Sequence, residues 1–193
     1  MSDSCLLSFN RATFRKMNRE LLVNNLRKVP DYPIKGIVFF DVTTLFKHQQ
    51  CFNEIADAIC AMYKDKGITK VAGIESGGFI MGAAVAARPG AGFVPVRKSG
   101  KLPAESLSEP YNKEYGEDSI EIHTDAIGPD DVVLIHDDIL AAGGTASAAV
   151  RLVKKFNPRS VYANFIIDIT DIPRNTPVPQ DVEVTSVLSL REK

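Results

Sequence analysis

The 193-residue sequence is short of cysteine, of net charge and of long apolar runs, and each shortage excludes a class of protein. Three cysteines, Cys5, Cys51 and Cys60, cannot all pair with one another and match no zinc spacing, so they read as reduced structural thiols of a cytoplasmic protein. A formal net charge of −1 provides no global basic field for nucleic acid or an anionic membrane. No stretch approaches the roughly 18 apolar residues of a spanning helix. The first twenty residues scatter Arg11, Arg15, Lys16 and Arg19 among polar neighbours, without the continuous apolar stretch of a secretory signal. Two phosphate-binding motifs are also missing. No Gly-x-x-x-x-Gly-Lys-Ser/Thr occurs, and no Gly-x-Gly-x-x-Gly follows an apolar run, which argues against P-loop and dinucleotide-binding folds.

What remains is an ordinary globular composition, 45% hydrophobic and 24% charged, of a length that fits one domain, 1–193, with a sizeable core. There is no internal repeat and no low-complexity tract. Short β-rich runs alternate with helical segments, the pattern of an α/β fold with a parallel sheet flanked by helices. A helix is expected over 14–27, with Leu21, Leu22 and Leu26 on one face, broken by Pro30 and Pro33. An extended run at 36–40 follows, and then a helix at 51–66 with Ile55, Ile59, Met62 and Tyr63 at helical spacing. Two strand–loop–helix units hold the centre. The first has a strand at 70–74, the loop Glu75-Ser76-Gly77-Gly78, a small-residue helix at 79–87 and a strand at 93–97. The second has a strand at 132–135 ending in Asp137-Asp138, a Gly143-Gly144 turn, and a helix over 145–155; strands at 161–167 and 182–190 complete the sheet. Between the units, 99–118 shows little regular pattern and is rich in charge (Lys101, Glu105, Glu109, Lys113, Glu114, Glu117). It reads equally as a mobile lid or as a disordered surface insertion.

The second unit carries the most specific signal. An apolar strand, two acids and a Gly-Gly-Thr turn feeding a helix aim several backbone N–H groups and a helix dipole at one point, which suits a phosphate. Thr145 and Ser147 add hydroxyl donors. Carboxylates repel phosphate, so the fitting partners of Asp137 and Asp138 are ribose hydroxyls or a phosphate-bound Mg²⁺. A 5-phosphoribosyl group satisfies both halves; an ordinary βα turn with glycines for tight packing is the plainer alternative.

The segment from Leu134 through His136 and Asp137-Asp138-Ile139-Leu140-Ala141-Ala142-Gly143-Gly144 to Thr145 resembles the phosphoribosyl-pyrophosphate signature of type I phosphoribosyltransferases. Three further segments resemble the adenine phosphoribosyltransferases: 30–41, 73–79, and 97–103 together with Glu114-Tyr115-Gly116. The resemblance spans about 24–190 with the motifs in the family's order. It implies a type I phosphoribosyltransferase-like α/β fold with a small N-terminal hood (1–40) and a flap loop (99–118). It also implies a Mg²⁺-dependent reaction in which adenine and phosphoribosyl pyrophosphate give AMP and pyrophosphate, carried out by a homodimer. Glu75, Ser76, Gly77 and Gly78 would form the pyrophosphate loop, with a non-proline cis peptide. Arg97, Lys98 and Lys101 would meet the pyrophosphate, Arg97 from the partner subunit. Ala141, Ala142, Gly143, Gly144 and Thr145 would cradle the 5-phosphate, and Asp137 and Asp138 would hold the ribose. Phe39 and Ile139 would sandwich the base, with backbone groups of Val38 and Phe40 reading its edge. Glu114 corresponds to the family's catalytic acidic residue, with Tyr115 beside it on the flap.

The chain departs from the family in both phosphate loops, with Gly77 where Arg is usual and Ala142 where Thr is usual; Phe40 also replaces a frequent Arg. Loss of paired guanidinium bonds to pyrophosphate predicts weaker donor binding, and predicts that Gly77→Arg restores it. These departures leave open a nucleotide-binding regulatory or low-activity relative, or one acting on another purine. His136, at a strand end, reads as packing.

Overall fold

The computed structural model describes residues 17–112 and 117–191, and the described residues form a seven-stranded sheet and a separate two-stranded one. In chain order the elements are α1 (Arg19–Asn25), β1 (Arg27–Pro30), β2 (Val38–Asp41), α2 (Thr43–Phe46), α3 (Gln49–Met62), β3 (Lys70–Ile74) and α4 (Gly77–Ala87). Then come β4 (Gly92–Lys98), β5 (Ser106–Asn112), β6 (Glu117–His123), β7 (Val132–Leu140), α5 (Gly144–Lys154), β8 (Ser160–Ile169) and β9 (Glu183–Leu190).

The large sheet runs β5-β6-β4-β3-β7-β8-β9, with β4, β3, β7, β8 and β9 parallel to one another and the β5–β6 hairpin added at one edge, where β6 pairs antiparallel with both β4 and β5. Its central strands are apolar on both faces because both faces are covered. Val71 and Leu134 join the core formed with α3 and α4, whereas their neighbours Ala72, Val133 and Ile135 join the one formed with α5. The chain leaves β3 through α4 toward β4, and leaves β7 through α5 toward β8, so strand order reverses between the adjacent strands β3 and β7. The loops after these two strands diverge to opposite faces and leave a crevice at their carboxyl ends, the usual ligand position in open α/β sheets.

Three expectations change. The helix expected over 14–27 begins at Arg19 and ends at Asn25, because Arg27–Pro30 pair with β2 as β1; residues 14–16 lie outside the described residues. The segment 99–118, which lacks periodic patterning, contains β5 and the start of β6, a hairpin that extends the main sheet. Its strands alternate charged and apolar residues too briefly to stand out: Leu107 and Tyr111 pack inward while Glu109 meets Arg151 (2.6 Å) and Lys155 (2.8 Å) of the segment ending α5. Strand β7 also runs to Leu140, not Ile135, because Asp137, Ile139 and Leu140 keep parallel register with Phe165, Ile167 and Asp168 of β8. No helix among the described residues is long and apolar enough to cross a membrane.

Strands β1 and β2 pair antiparallel, Arg27 opposite Asp41 and Pro30 opposite Val38. Their connection turns through Asp31 (φ 57°), a cis Tyr32–Pro33 bond and Gly36 (φ 93°), and the Gly36 N–H donates to Asp31 Oδ1 at 2.7 Å. Period-two alternation buries Phe40 in the core beside Leu22 and Leu45 and leaves Phe39 exposed, its ring edge-on to Tyr32 at 5.3 Å. Phe40, the apolar residue at a position where the family has Arg, is therefore a core side chain.

Candidate active site

The loop after β7 is built on a left-handed glycine. Gly143 has φ +88°, and a Cβ there would lie 2.5 Å from the Thr176 carbonyl oxygen, so both conformation and space demand glycine. Helix α5 starts at the next residue, Gly144, so the first N–H groups of the helix open toward the loop. Ile139, Leu140, Ala141, Ala142, Gly143, Gly144 and Thr145 line one side of a cavity of about 480 Å³, together with Asp137. The other walls are Tyr111, Phe165, Asn175 and Thr176. No sequence pattern pointed to these four. Phe165 was within reach through its parallel register with Asp137, while Tyr111 lies in the hairpin that looked irregular and Asn175 and Thr176 follow β8 without a motif.

Ser147 does not add a donor to this cradle. It is buried, and its Oγ accepts from Arg151 Nη1 at 3.0 Å one turn further along α5.

Asp137 and Asp138 stand side by side at the carboxyl end of β7, with the Asp138 N–H donating to Asp137 Oδ1 at 2.9 Å. Burial, reinforced by the neighbouring Asp138 charge, pushes the Asp137 carboxyl well above its ordinary range, and burial raises Asp138 as well. Two carboxyl groups held together out of water need hydrogen-bond donors, a requirement that hydroxyl groups can meet.

The loop after β3 packs directly on this pair. It has a cis Glu75–Ser76 peptide, and the Gly78 backbone gives a hydrogen bond to Asp137. A Cβ on Gly78 would come 2.4 Å from the His136 carbonyl oxygen. A Cβ on Gly77 would come 2.1 Å from Asp138 Oδ2 and 2.4 Å from its Cγ. An arginine at 77 would therefore do more than restore a missing contact, because the volume its first carbon needs is filled by the Asp138 carboxyl, which would have to shift. Glycine at 77 and the placement of Asp138 form one arrangement.

Glu75 gathers the cations of the crevice. Its Oε1 accepts from Lys101 Nζ at 2.5 Å, and its Oε2 accepts from the Lys98 N–H at 3.1 Å and lies 3.4 Å from Arg97 Nε. Arg97 Nη1 also donates to the Lys101 carbonyl at 3.0 Å. The Lys101 hydrogen bond is the main reason the Glu75 carboxyl falls to about 2. Ser76, exposed, begins the turn into α4. Thus Arg97, Lys98 and Lys101, from β4 and the turn after it, are brought to the loop 75–78, which in turn touches Asp137 and Asp138. Phe39 and Val38 belong to the separate two-stranded sheet, and Ile139 packs against the same core that holds Phe40. Glu114 and Tyr115 lie outside the described residues.

His136 is a core residue. Asn164 Nδ2 donates to Thr185 Oγ1 at 2.8 Å, so its Oδ1 is left to accept from His136 Nδ1–H at 3.2 Å. Nε2 is buried without a partner among the described residues, and burial holds the imidazole neutral, down to about 4. A depressed histidine pKa makes the unfolded chain bind more protons, so its stabilising effect is complete above pH 6.5 and lost as pH falls toward 4. The stability gap between the wild type and His136→Val, from urea titrations, is therefore expected to shrink by up to about 3 kcal/mol between pH 6.5 and 4. Asp137 titrates with the opposite sign, but it is common to both chains and cancels in the difference. A gap independent of pH across that window contradicts the assignment.

Comparison with known proteins agrees with this geometry. A family model described as phosphoribosyl transferase domain matches residues 41–183. An adenine phosphoribosyltransferase of Bacteroides thetaiotaomicron is 56% identical over 174 residues, covering 90% of this chain and 99% of that protein. The crystal structure of adenine phosphoribosyltransferase from Rhodothermus marinus superposes with a TM-score of 0.83 at 46% identity, covering 89% of this chain and 97% of that one. The Giardia lamblia enzyme complexed with 9-deazaadenine gives a TM-score of 0.82 at 37% identity, covering 88% and 96%.

Proposed function

Because the chain belongs to the adenine phosphoribosyltransferase family, we propose that it transfers the 5-phosphoribosyl group of phosphoribosyl pyrophosphate to adenine, giving AMP and pyrophosphate. The observation that carries this reading is the cavity of about 480 Å³ in which a helix N-terminus and its glycine turn adjoin Asp137, the first carboxyl of the buried pair with Asp138. One end suits a phosphate and the other a diol, at the separation a single β-strand end imposes.

In this reading the N–H groups of 143–145, the Thr145 hydroxyl and the α5 dipole hold the 5-phosphate, while Asp137 and Asp138 accept from the ribose hydroxyls. Phe39 and Ile139 flank the adenine ring, and the backbone of Val38 and Phe40 reads its edge. A purine nitrogen attacks the anomeric carbon as the bond to pyrophosphate breaks. Negative charge then grows on the leaving group beside the loop 75–78, where Lys98 and Lys101 are already gathered around Glu75 and where Arg97 of the partner subunit would join them. Cations oriented before the reaction stabilise that charge without reorganising as it forms. Glu114 orients or protonates the purine from the flap, next to Tyr115, and flap closure keeps water from competing as nucleophile.

Mg²⁺ enters this reading as part of the donor, with Asp137 and Asp138 as its carboxylate neighbours. There it supplies charge neutralisation on the diphosphate. We take residues 1–193 as one domain acting in the cytoplasm, where Cys51 and Cys60 remain free thiols, and as a homodimer in which the partner's cations reach the diphosphate. Steady-state turnover of adenine with phosphoribosyl pyrophosphate and Mg²⁺, against a Glu114→Ala control, tests the reading. Turnover equal to that control leaves a nucleotide-binding relative, and faster turnover of guanine or hypoxanthine reassigns the base.

A further inference from the structure

We propose that Asn175 and Thr176, in the segment after β8, are phosphate-binding residues that complete the 5-phosphate cradle. The inference rests on the phosphoribosyl reading of that cavity and adds to it two binding residues from a different part of the chain.

The cradle on the α5 side is short of side-chain donors. Ala141 and Ala142 have none, Gly143 and Gly144 offer only backbone, and the Ser147 hydroxyl is buried against Arg151. Thr145 is left as the one hydroxyl of the turn lining the cavity. A phosphate monoester carries three strong acceptor oxygens outside its ester link, more than this turn alone faces on one side. Asn175 and Thr176 line the same cavity from across it, and they bring an amide and a hydroxyl.

The segment is also fixed in place against the cradle. Arg174 Nη1 donates to the Leu140 carbonyl at 3.2 Å, and Nη2 pairs with the Asp168 carboxylate of β8. The Thr176 N–H reaches the Ala142 carbonyl at 3.4 Å, and the Thr176 carbonyl oxygen fills the space that a side chain at Gly143 would need. The Asn175 N–H donates to the Pro173 carbonyl at 3.1 Å, tightening the turn between them. The Arg174 contacts are spent on the protein itself and draw the backbone in, while Asn175 and Thr176, the two residues that follow it, line the cavity. Loss of the family's Thr hydroxyl at Ala142 is thereby offset: the backbone contact from Thr176 to Ala142 brings another threonine to the lining of the same cavity.

The test uses the full chain and isothermal calorimetry with AMP, ribose 5-phosphate and adenine. Asn175→Asp keeps size and places a carboxylate against the phosphate; it is expected to weaken AMP and ribose 5-phosphate by about 10- to 100-fold, the scale of a charge-assisted hydrogen bond lost. Thr176→Val keeps shape and removes the hydroxyl, with an expected loss of about 5-fold. Adenine, which has no phosphate, should bind both variants as it binds the wild type, and KM for the phosphoribosyl donor should rise with little change in kcat. Unchanged AMP affinity in both variants overturns the proposal, as does an equal loss for adenine and AMP, which marks general damage to the site. A wild-type chain that binds neither AMP nor ribose 5-phosphate fails at the earlier step and overturns the phosphoribosyl reading itself.

Discussion

Alanine at position 78 is expected to lower kcat/KM for phosphoribosyl pyrophosphate by at least about 100-fold, the scale on which misplacing catalytic groups by an ångström reduces a rate. The added carbon would sit 2.4 Å from the His136 carbonyl oxygen and 3.2 Å from Asp137 Cα, both backbone of β7. That strand is paired on both sides, with β3 and with β8, so it has no room to yield. The loop 75–78 must move instead, withdrawing the Gly78 hydrogen bond from Asp137 and shifting Glu75 away from Lys101, Lys98 and Arg97. Overpacking of this kind also costs about 1–3 kcal/mol of stability, so a melt accompanies the kinetics. Gly128→Ala is the matched control, because a Cβ there meets only Asp131 Oδ2 at an ordinary 3.8 Å. Wild-type kinetics in Gly78→Ala contradict the packing described for the two loops.

Gly77→Arg is expected to weaken donor use, by roughly 10- to 100-fold in kcat/KM, which is the loss of one or two charge-assisted hydrogen bonds. Considered alone, the added guanidinium favours pyrophosphate binding. Its Cβ, however, overlaps the Asp138 carboxyl at 2.1 Å from Oδ2 and 2.4 Å from Cγ; χ2 rotation moves the oxygens alone, so relieving the Cγ contact takes a change of χ1. Asp138 then leaves the position in which it adjoins Asp137 and faces the ribose hydroxyls. Gly77→Ala separates the two effects, since it brings the overlap without the cation. Both variants should lose affinity for ribose 5-phosphate, and alanine should lose at least as much turnover as arginine. A fall in the donor KM for Gly77→Arg contradicts this and restores the simpler account of a missing contact.

Much of this site was legible in the sequence because its chemistry is local. Asp137, Asp138, Gly143, Gly144 and Thr145 sit within nine residues of one another, and a strand end, a left-handed turn and a helix start each have a residue signature. The sheet was legible for a similar reason: strands covered on both faces, such as 71–74 and 132–135, are unbroken apolar runs. Strand β7 was cut short at Ile135 because the acids that follow look like loop, although backbone register with β8 carries the pairing to Leu140. The hairpin β5–β6 has little sequence signal because its inward residues, among them Leu107, Tyr111, Ile120 and Ile122, are few and are separated by charges: Glu109, which pairs with Arg151 and Lys155, and Glu121, which accepts from Ser99 and Gly100. Asn175 and Thr176 left no local trace, since a 35-residue separation from Leu140 is bridged only in three dimensions. Gly77 is the sharper lesson. Alone it reads as an absent arginine; beside Asp138 it is the residue that lets the carboxyl fit.

The central claim is that the crevice between the ends of β3 and β7 transfers a phosphoribosyl group to adenine. It is tested most directly by measuring AMP and pyrophosphate formation with adenine, guanine, hypoxanthine and xanthine, each with phosphoribosyl pyrophosphate and Mg²⁺. The predicted result is adenine-dependent release of AMP and pyrophosphate in equal amounts, fastest among the four bases and lost in Glu114→Ala. Equal rates for the wild type and Glu114→Ala, or a preference for one of the other purines, would contradict it.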